Sequence, residues 1–167
     1  KRTEVASMVY EAQIEGIFID RQFEEPVVML KQKDGDHRVP IWIQMGEMFS
    51  LALHIAGENF KPPRPFAHDL IKTVIKNLQA SVQHALITDI IDHVYRAQLH
   101  LTSPVTPLEL DARPSDAILM ALKFDAPIYI DEKVIKKSTE LSQKHPPELL
   151  QQRLQKLHPE DFINFVQ

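Results

Sequence analysis

The chain has 167 residues, with 19 Lys and Arg against 23 Asp and Glu, so its formal charge is −4. Hydrophobic residues make up 44% and charged residues 25%, which is ordinary for one globular domain with a buried core. The absence of Cys excludes disulfides, thiolate zinc sites and a cysteine nucleophile, and it fits a cytoplasmic protein.

The sequence contains no segment suited to a membrane. No apolar run approaches the ~18 residues of a membrane span, and Lys1-Arg2 is not followed by the apolar stretch of a signal peptide. Because residue 1 is Lys, we expect the natural start to lie upstream. The pI of about 6.1 argues against a uniformly basic surface, so any nucleic-acid site must be local.

The first part of the chain predicts strands. Two apolar stretches, 9–10 and 14–19, lie within 5–20, and a run rich in β-branched residues begins at residue 26, so we expect strands in both places. Asp34-Gly35 readily supplies the positive φ angles of a tight turn, which predicts a β-hairpin across 27–43. Trp42 points to the opposite strand face from its apolar neighbours, and we expect burial or an oligomer contact there rather than base stacking.

Two helices are predicted next. Apolar positions cover most of the circumference between residues 47 and 56, so we expect a largely buried helix that is capped at Gly57. A proline-rich stretch over 61–66 leads to a second, amphipathic helix, whose apolar residues fall on one stripe. The members of this stripe are Leu70, Ile71, Val74, Ile75 and Leu78.

The second part of the chain alternates in the same way. We predict strands at 81–91, 94–101, 108–110 and 127–130, and helices at 116–124 and 132–141. The helix at 116–124 is almost wholly apolar. Leu150, Leu154 and Leu157 recur at i, i+4 and i+7, which predicts a C-terminal amphipathic helix. We therefore expect one domain over 1–141 and a C-terminal helical extension over 142–167.

A weak internal repeat favours a duplicated unit. A shift of 69 residues places 50–56 over 119–125, and each of these helical segments follows three strand-like segments. This predicts an α+β fold with a mixed, strongly curved β-sheet built from a duplicated β-β-β-α unit. Glu47 and Asp116 would then hold equivalent places at the starts of two helices.

Two short motifs combine Arg, Pro and Asp just before a helix. They are Arg64-Pro65 with His68-Asp69, and Arg113-Pro114 with Ser115-Asp116. A helix N-terminus favours anions, and arginine adds a planar fork suited to phosphate. Aspartate offers the oxygen ligand that Mg²⁺ or Mn²⁺ needs, and histidine a general acid or base. Together these are the parts of a site that cleaves phosphodiester bonds.

The same residues also fit structural roles. Ser115 has the features of a standard N-cap, Asp69 and Asp116 complement a helix dipole, and Arg64 and Arg113 could simply pair with these carboxylates. Two alternatives to an enzyme follow. One is an assembly scaffold held by internal salt bridges, and the other is a non-catalytic oligomeric module that holds an anionic ligand or a protein partner.

Other enzyme classes are disfavoured by the motifs that the sequence lacks. The eight His residues form no His-Glu-x-x-His pair, which argues against a zinc hydrolase. The four Gly residues form no phosphate-binding loop, which argues against an ATPase or a dinucleotide enzyme.

The sequence resembles the bifunctional nuclease (BFN) domain family over about residues 5 to 140. Four motifs occur in the order found in that family: Gly16 to Asp20, Pro40-Ile41-Trp42-Ile43 with Glu47, Arg64-Pro65 with His68-Asp69-Leu70, and Arg113 to Ile118. The resemblance implies an α+β fold with two related halves, self-association, and the nuclease activity on both RNA and DNA that some members of the family have. Gln44 stands where the family more often has Gly, and Ala67 where it commonly has a hydroxyl residue.

On this resemblance we expect a homo-oligomeric nuclease that hydrolyses RNA or DNA with Mg²⁺ or Mn²⁺ and without an organic cofactor. Asp69 and Asp116, together with Glu47, are the expected catalytic and cation-binding carboxylates, and His68 is expected to assist proton transfer. The expected phosphate-binding residues are Arg64, Arg113 and Ser115.

Overall fold

The computed structural model describes residues 7–20, 25–57 and 62–144. Its strands are β1 (Val9–Asp20), β2 (Glu25–Gln32), β3 (Arg38–Trp42), β4 (Ser81–Ile91), β5 (Val94–Thr102), β6 (Leu108–Ala112) and β7 (Ile128–Asp131). Its helices are α1 (Met45–Ile55), α2 (Ala67–Asn77), α3 (Pro114–Lys123) and α4 (Glu132–Lys144). The predicted C-terminal amphipathic helix lies outside the described residues. Among those that are described, no helix combines the length and apolar character that a membrane crossing requires.

All seven strands form one mixed sheet in the order β3-β2-β1-β7-β4-β5-β6. β1, β2 and β3 pair antiparallel as one meander, and β4, β5 and β6 as another. Between them, β7 runs antiparallel to β1 and parallel to β4. The mixed α+β class is therefore confirmed. The predicted strong curvature is not seen, because the two meanders extend outward from β7 as an open sheet and do not curl towards closure.

The two halves of the chain have the same order of elements. β1, β2 and β3 are followed by α1, and β4, β5 and β6 by α3. Glu47 is the third residue of α1, and Asp116 is the third residue of α3. A duplication would produce this order, although the duplication itself stays a prediction.

The predicted hairpin across 27–43 is confirmed, but its turn differs from the expected one. β2 and β3 pair from Val27 opposite Trp42 to Lys31 opposite Arg38. β2 ends at Gln32 and β3 begins at Arg38, so the loop between the strands is five residues long, and across it the carbonyl of His37 accepts the backbone N–H of Gln32 at 2.9 Å. Neither Asp34 nor Gly35 has a positive φ. The expected positive φ angles are therefore wrong, since a loop of this length does not need them.

α1 is less buried than its sequence suggests. Met48 and Leu51 are buried, whereas Phe49 is 54% and Ile55 40% exposed. The helix packs on α3 and β2 along one side only, so the expectation of a largely buried helix is wrong. Its C-terminal cap is as predicted, with Gly57 at a φ of 68°. Trp42 is likewise not buried within the chain, at 37% exposed.

α3 is the buried helix of the fold. It packs against β4 and β5, and α1 and α2 both contact it. Its residues from Ala117 to Ala121 are all buried, as the almost wholly apolar sequence predicts. α2 is the opposite case, because Ile75 is its one buried residue.

The two faces of α1 give a direct test of this packing. Leu51→Ala removes a side chain that is 0% exposed, and we expect it to lower the free energy of unfolding by about 2–5 kcal/mol. Phe49→Ala, two positions earlier, should lower it by less than about 1 kcal/mol. Urea unfolding followed by circular dichroism measures both values. Equal losses in the two variants would contradict the observed orientation of α1.

Candidate active site

Each of the first three helices carries an acidic residue at its third position. In α1 the Glu47 carboxylate accepts the backbone N–H of Gln44 at 2.8 Å, and in α2 the Asp69 carboxylate accepts that of Phe66 at 3.0 Å. These two bonds cap the helix N-termini, whereas the structural interpretation of the sequence expects only that Asp69 complements the helix dipole and gives Glu47 no cap. In α3 the Asp116 carboxylate is instead bound by the side chains of Arg113 and His68.

The start of α3 differs from the predicted cap. Arg113 is the N-cap residue and Pro114 the first helical residue, which suits proline because that position needs no N–H donor. Ser115 therefore lies inside the first turn and is 5% exposed. The prediction of Ser115 as the N-cap is wrong, and the residue instead belongs to the lining of the pocket described below.

His68, Asp116, Arg113 and Glu47 form one connected polar network. His68 Nε2 lies 2.9 Å from Asp116 Oδ1. Arg113 Nε donates to Asp116 Oδ2 at 2.7 Å and Arg113 Nη2 to Oδ1 at 3.1 Å. Arg113 Nη1 lies 2.6 Å from Glu47 Oε1. The network thus joins the N-terminal ends of three helices.

The surroundings of Asp116 keep its carboxyl ionised. Burial alone would raise the pKa, but hydrogen bonds from Arg113 and His68 outweigh it, and the pKa of Asp116 lies below its ordinary value. An ionised carboxylate can only accept hydrogen bonds, so the proton between the two residues lies on His68 Nε2. In that tautomer Nδ1 holds the ring's free lone pair and is the atom able to accept a proton.

An open pocket of about 220 Å³ lies over this network. Five of the residues that the sequence singles out line it: Glu47, His68, Arg113, Ser115 and Asp116. The lining also includes Gln44 and Ser50, which sequence reasoning did not assign to a site. Gln44 differs from the family pattern, and that departure is the signal that could have drawn attention to it. Nothing in the sequence distinguishes Ser50.

Asp69 and Arg64 are the two predicted site residues that the pocket does not include. Lys123 Nζ donates to Asp69 Oδ1, while Asp69 Oδ2 accepts the Phe66 N–H. The hydrogen bond from Lys123 holds the pKa of Asp69 below its ordinary value. Arg64 is exposed, and no carboxylate within 7–20, 25–57 or 62–144 pairs with it. The expected roles of these two residues stay predictions.

The part of the chain that the structure describes does not contain a preformed metal site of three protein ligands. Within the described ranges, no three His, Asp or Glu side chains converge closely enough to hold a metal ion. Mg²⁺ does not require such a cluster, because it commonly binds through one or two carboxylates together with waters and substrate phosphates. Asp116 and Glu47 are the carboxylates of the pocket that fit this mode of binding.

The ion pair between Asp69 and Lys123 predicts a pH effect on stability. Because the folded-state pKa of Asp69 lies below its ordinary value of 3.8, its contribution is present above that pH and is lost as the pH falls through the lowered pKa. Asp69→Asn should be less stable than the parent at pH 7, with the difference shrinking towards pH 3. Urea unfolding across this range measures it, with Asp34→Asn in the exposed β2–β3 loop as control. A difference independent of pH would contradict the assignment.

Most of this chain aligns with known proteins. Residues 28–143 match the bifunctional nuclease domain family. An uncharacterized protein of Mycobacterium tuberculosis is 34% identical over 125 residues, 75% of this chain and 73% of that protein. Bifunctional nuclease 1 of Arabidopsis thaliana is 31% identical and that of Oryza sativa subsp. japonica 29% identical, each over 111 residues. Both alignments cover 64% of this chain, and they span 34% and 33% of the plant proteins.

Proposed function

This chain belongs to the bifunctional nuclease domain family, which it matches over residues 28–143, and we propose on this basis that it hydrolyses the phosphodiester bonds of RNA or DNA. The observation that carries the proposal is the convergence of His68, Asp116 and Arg113 in one open pocket. A proton acceptor, a carboxylate that orients it and a phosphate-binding cation are the groups that such a hydrolysis uses.

His68 is the proton acceptor in this proposal. Asp116 holds the Nε2–H of the ring, which leaves the Nδ1 lone pair to take a proton from the attacking water. The imidazolium that forms is stabilised by the ionised carboxylate, and it can return the proton to the departing oxygen. His68 is about one-fifth exposed, so the ring is reachable from the pocket and still fixed by its neighbours.

Arg113 binds the phosphate in this proposal. A guanidinium group has five N–H donors, and the bonds to Asp116 and Glu47 use three of them. The side chain is 60% exposed, so the remaining donors can reach an oxygen of the substrate. Ser115, in the first turn of α3, would help to fix that phosphate at the helix N-terminus.

We also propose that the reaction uses Mg²⁺ or Mn²⁺, held by Asp116 with Glu47 and by the substrate. The carboxylates of Glu47 and Asp116 outnumber the guanidinium of Arg113 in the pocket, which favours a cation. When bound, the cation neutralises charge on the phosphate as the bond breaks.

Cleavage of end-labelled single-stranded RNA and double-stranded DNA tests this proposal. Purified protein with Mg²⁺, Mn²⁺ or EDTA is compared with Asp116→Asn, His68→Gln and the remote control Asp34→Asn. We expect cation-dependent cleavage in the parent and in the control, and a loss of about 10²–10⁴-fold in the two pocket variants. Equal cleavage by all four proteins would place the activity elsewhere. No cleavage by folded parent protein would favour the non-catalytic binding module.

The proposal extends to a homo-oligomer formed through α2. Its outer face exposes Leu70, Ile71, Val74 and Leu78, which are 43–68% exposed. A contiguous apolar stripe of this kind is uncommon on the free surface of a monomer, and it supports contact with a second copy of the chain.

The oligomer is tested by measuring mass in solution. Light scattering after size-exclusion chromatography should give the parent a mass above the 19.2 kDa of one chain. Leu70→Glu with Val74→Glu should reduce that mass while circular dichroism stays unchanged. Val105→Glu, at a residue that is 92% exposed outside the stripe, is the control. A parent that runs as a monomer overturns this part of the proposal.

A further inference from the structure

Two adjacent residues of α2 bind α3 at points far apart. His68 meets Asp116 in the first turn of α3, and Asp69 meets Lys123 at its last residue. Asp116 and Lys123 are seven positions apart, so they lie on the same face of α3 about two turns, or roughly 10 Å, from each other. The start of α2 is therefore attached to both ends of α3.

Lys123 is nearly enclosed at this contact. Its side chain is 12% exposed, whereas that of Asp69 is 34% exposed. A lysine this deeply placed needs a partner, because an unpaired buried charge is costly. The adjoining residues extend the contact, since Lys72 of α2 lies 5.7 Å from the ring centroid of Phe124, the residue that follows α3.

Within one chain, apolar packing alone holds α2 weakly. Among its eleven residues only Ile75 is buried. The side-chain hydrogen bonds at the start of α2 must therefore contribute much of the free energy that fixes the orientation of α2 relative to α3. Loss of the Lys123 bond would leave the first turn attached to α3 mainly through the His68–Asp116 bond, which is the contact that catalysis needs held in place.

We propose that Lys123 is a positioning residue of the active site, which acts through Asp69 to hold the His68 ring against Asp116. This rests on the proposed function for its catalytic meaning, but the geometric effect can be measured without any activity. Lys123 touches neither substrate nor the pocket. Its role is to keep α2 at the angle that presents His68 Nδ1 to the reacting water.

The first test reads the tautomer of His68 by nitrogen-15 NMR, with the His68 signal assigned by its absence in His68→Gln. We expect the parent to show the Nε2–H form. Lys123→Met should give a mixture of tautomers, Lys123→Arg should restore the Nε2–H form, and the exposed control Lys136→Met should match the parent. Asp69→Asn breaks the same bond from the other side and should give the same mixture even if Lys123→Met does not fold. A pure Nε2–H form in the folded variants that lack this bond overturns the proposal.

The second test separates positioning from stability by kinetics. At a temperature where all variants are folded, Lys123→Met should lower kcat by about tenfold or more while KM changes by less than about twofold. Lys123→Arg should recover most of the rate. An unchanged kcat in Lys123→Met overturns the proposal. If the parent itself does not cleave, the nuclease proposal fails alone, because the NMR result still decides whether Lys123 positions His68.

Discussion

Burial of α3 is the constraint on which the rest of the site depends. Its residues Ala117 to Ala121 are packed under the sheet and the neighbouring helices, so the helix has little freedom to shift or rotate. Its polar residues are confined to the two ends, with Arg113 and Asp116 at one and Lys123 at the other. Because the helix is fixed, these charges are fixed points to which the more exposed helices attach.

The acidic residues at the third positions of α1, α2 and α3 do not all have the same role. Glu47 and Asp69 each accept the N–H of their own N-cap residue, which is the structural role expected of an acid at that position. Asp116 has the same position in its helix, yet its oxygens are bound by Arg113 and His68. In Glu47 and Asp69 one carboxylate oxygen is bound by the backbone of the same helix start, whereas both oxygens of Asp116 are bound by side chains. Equal positions in sequence therefore do not mean equal bonding partners.

Local patterns in the sequence predict most of the strands and helices of the fold. Apolar alternation located the strands, and Gly57 located the end of α1, because both depend on residues close together in the chain. The burial of α1 was not predictable in this way. Phe49 and Ile55 are apolar, but whether they are covered depends on how many elements pack around the helix. The open shape of the sheet is a global property for the same reason.

The candidate site was predictable in its residue types but not in its pairings. His68 and Asp116 are 48 residues apart, and Asp69 and Lys123 are 54 apart. No short-range sequence pattern therefore predicts which acidic side chain pairs with which basic side chain. Lys123 had one usable signal. It is a lone charged residue directly after an apolar run in a buried helix, and such a lysine needs an acidic partner.

The position of β7 has a consequence for synthesis of the protein on the ribosome. Each meander can pair within itself as soon as its own residues have emerged, but β1 and β4 become neighbours of a common strand only when 128–131 is available. Until then a nascent chain that already contains every pocket residue presents two unpaired strand edges, which are templates for association with other chains. The four residues of β7 thus close the interval during which these two edges are open to association.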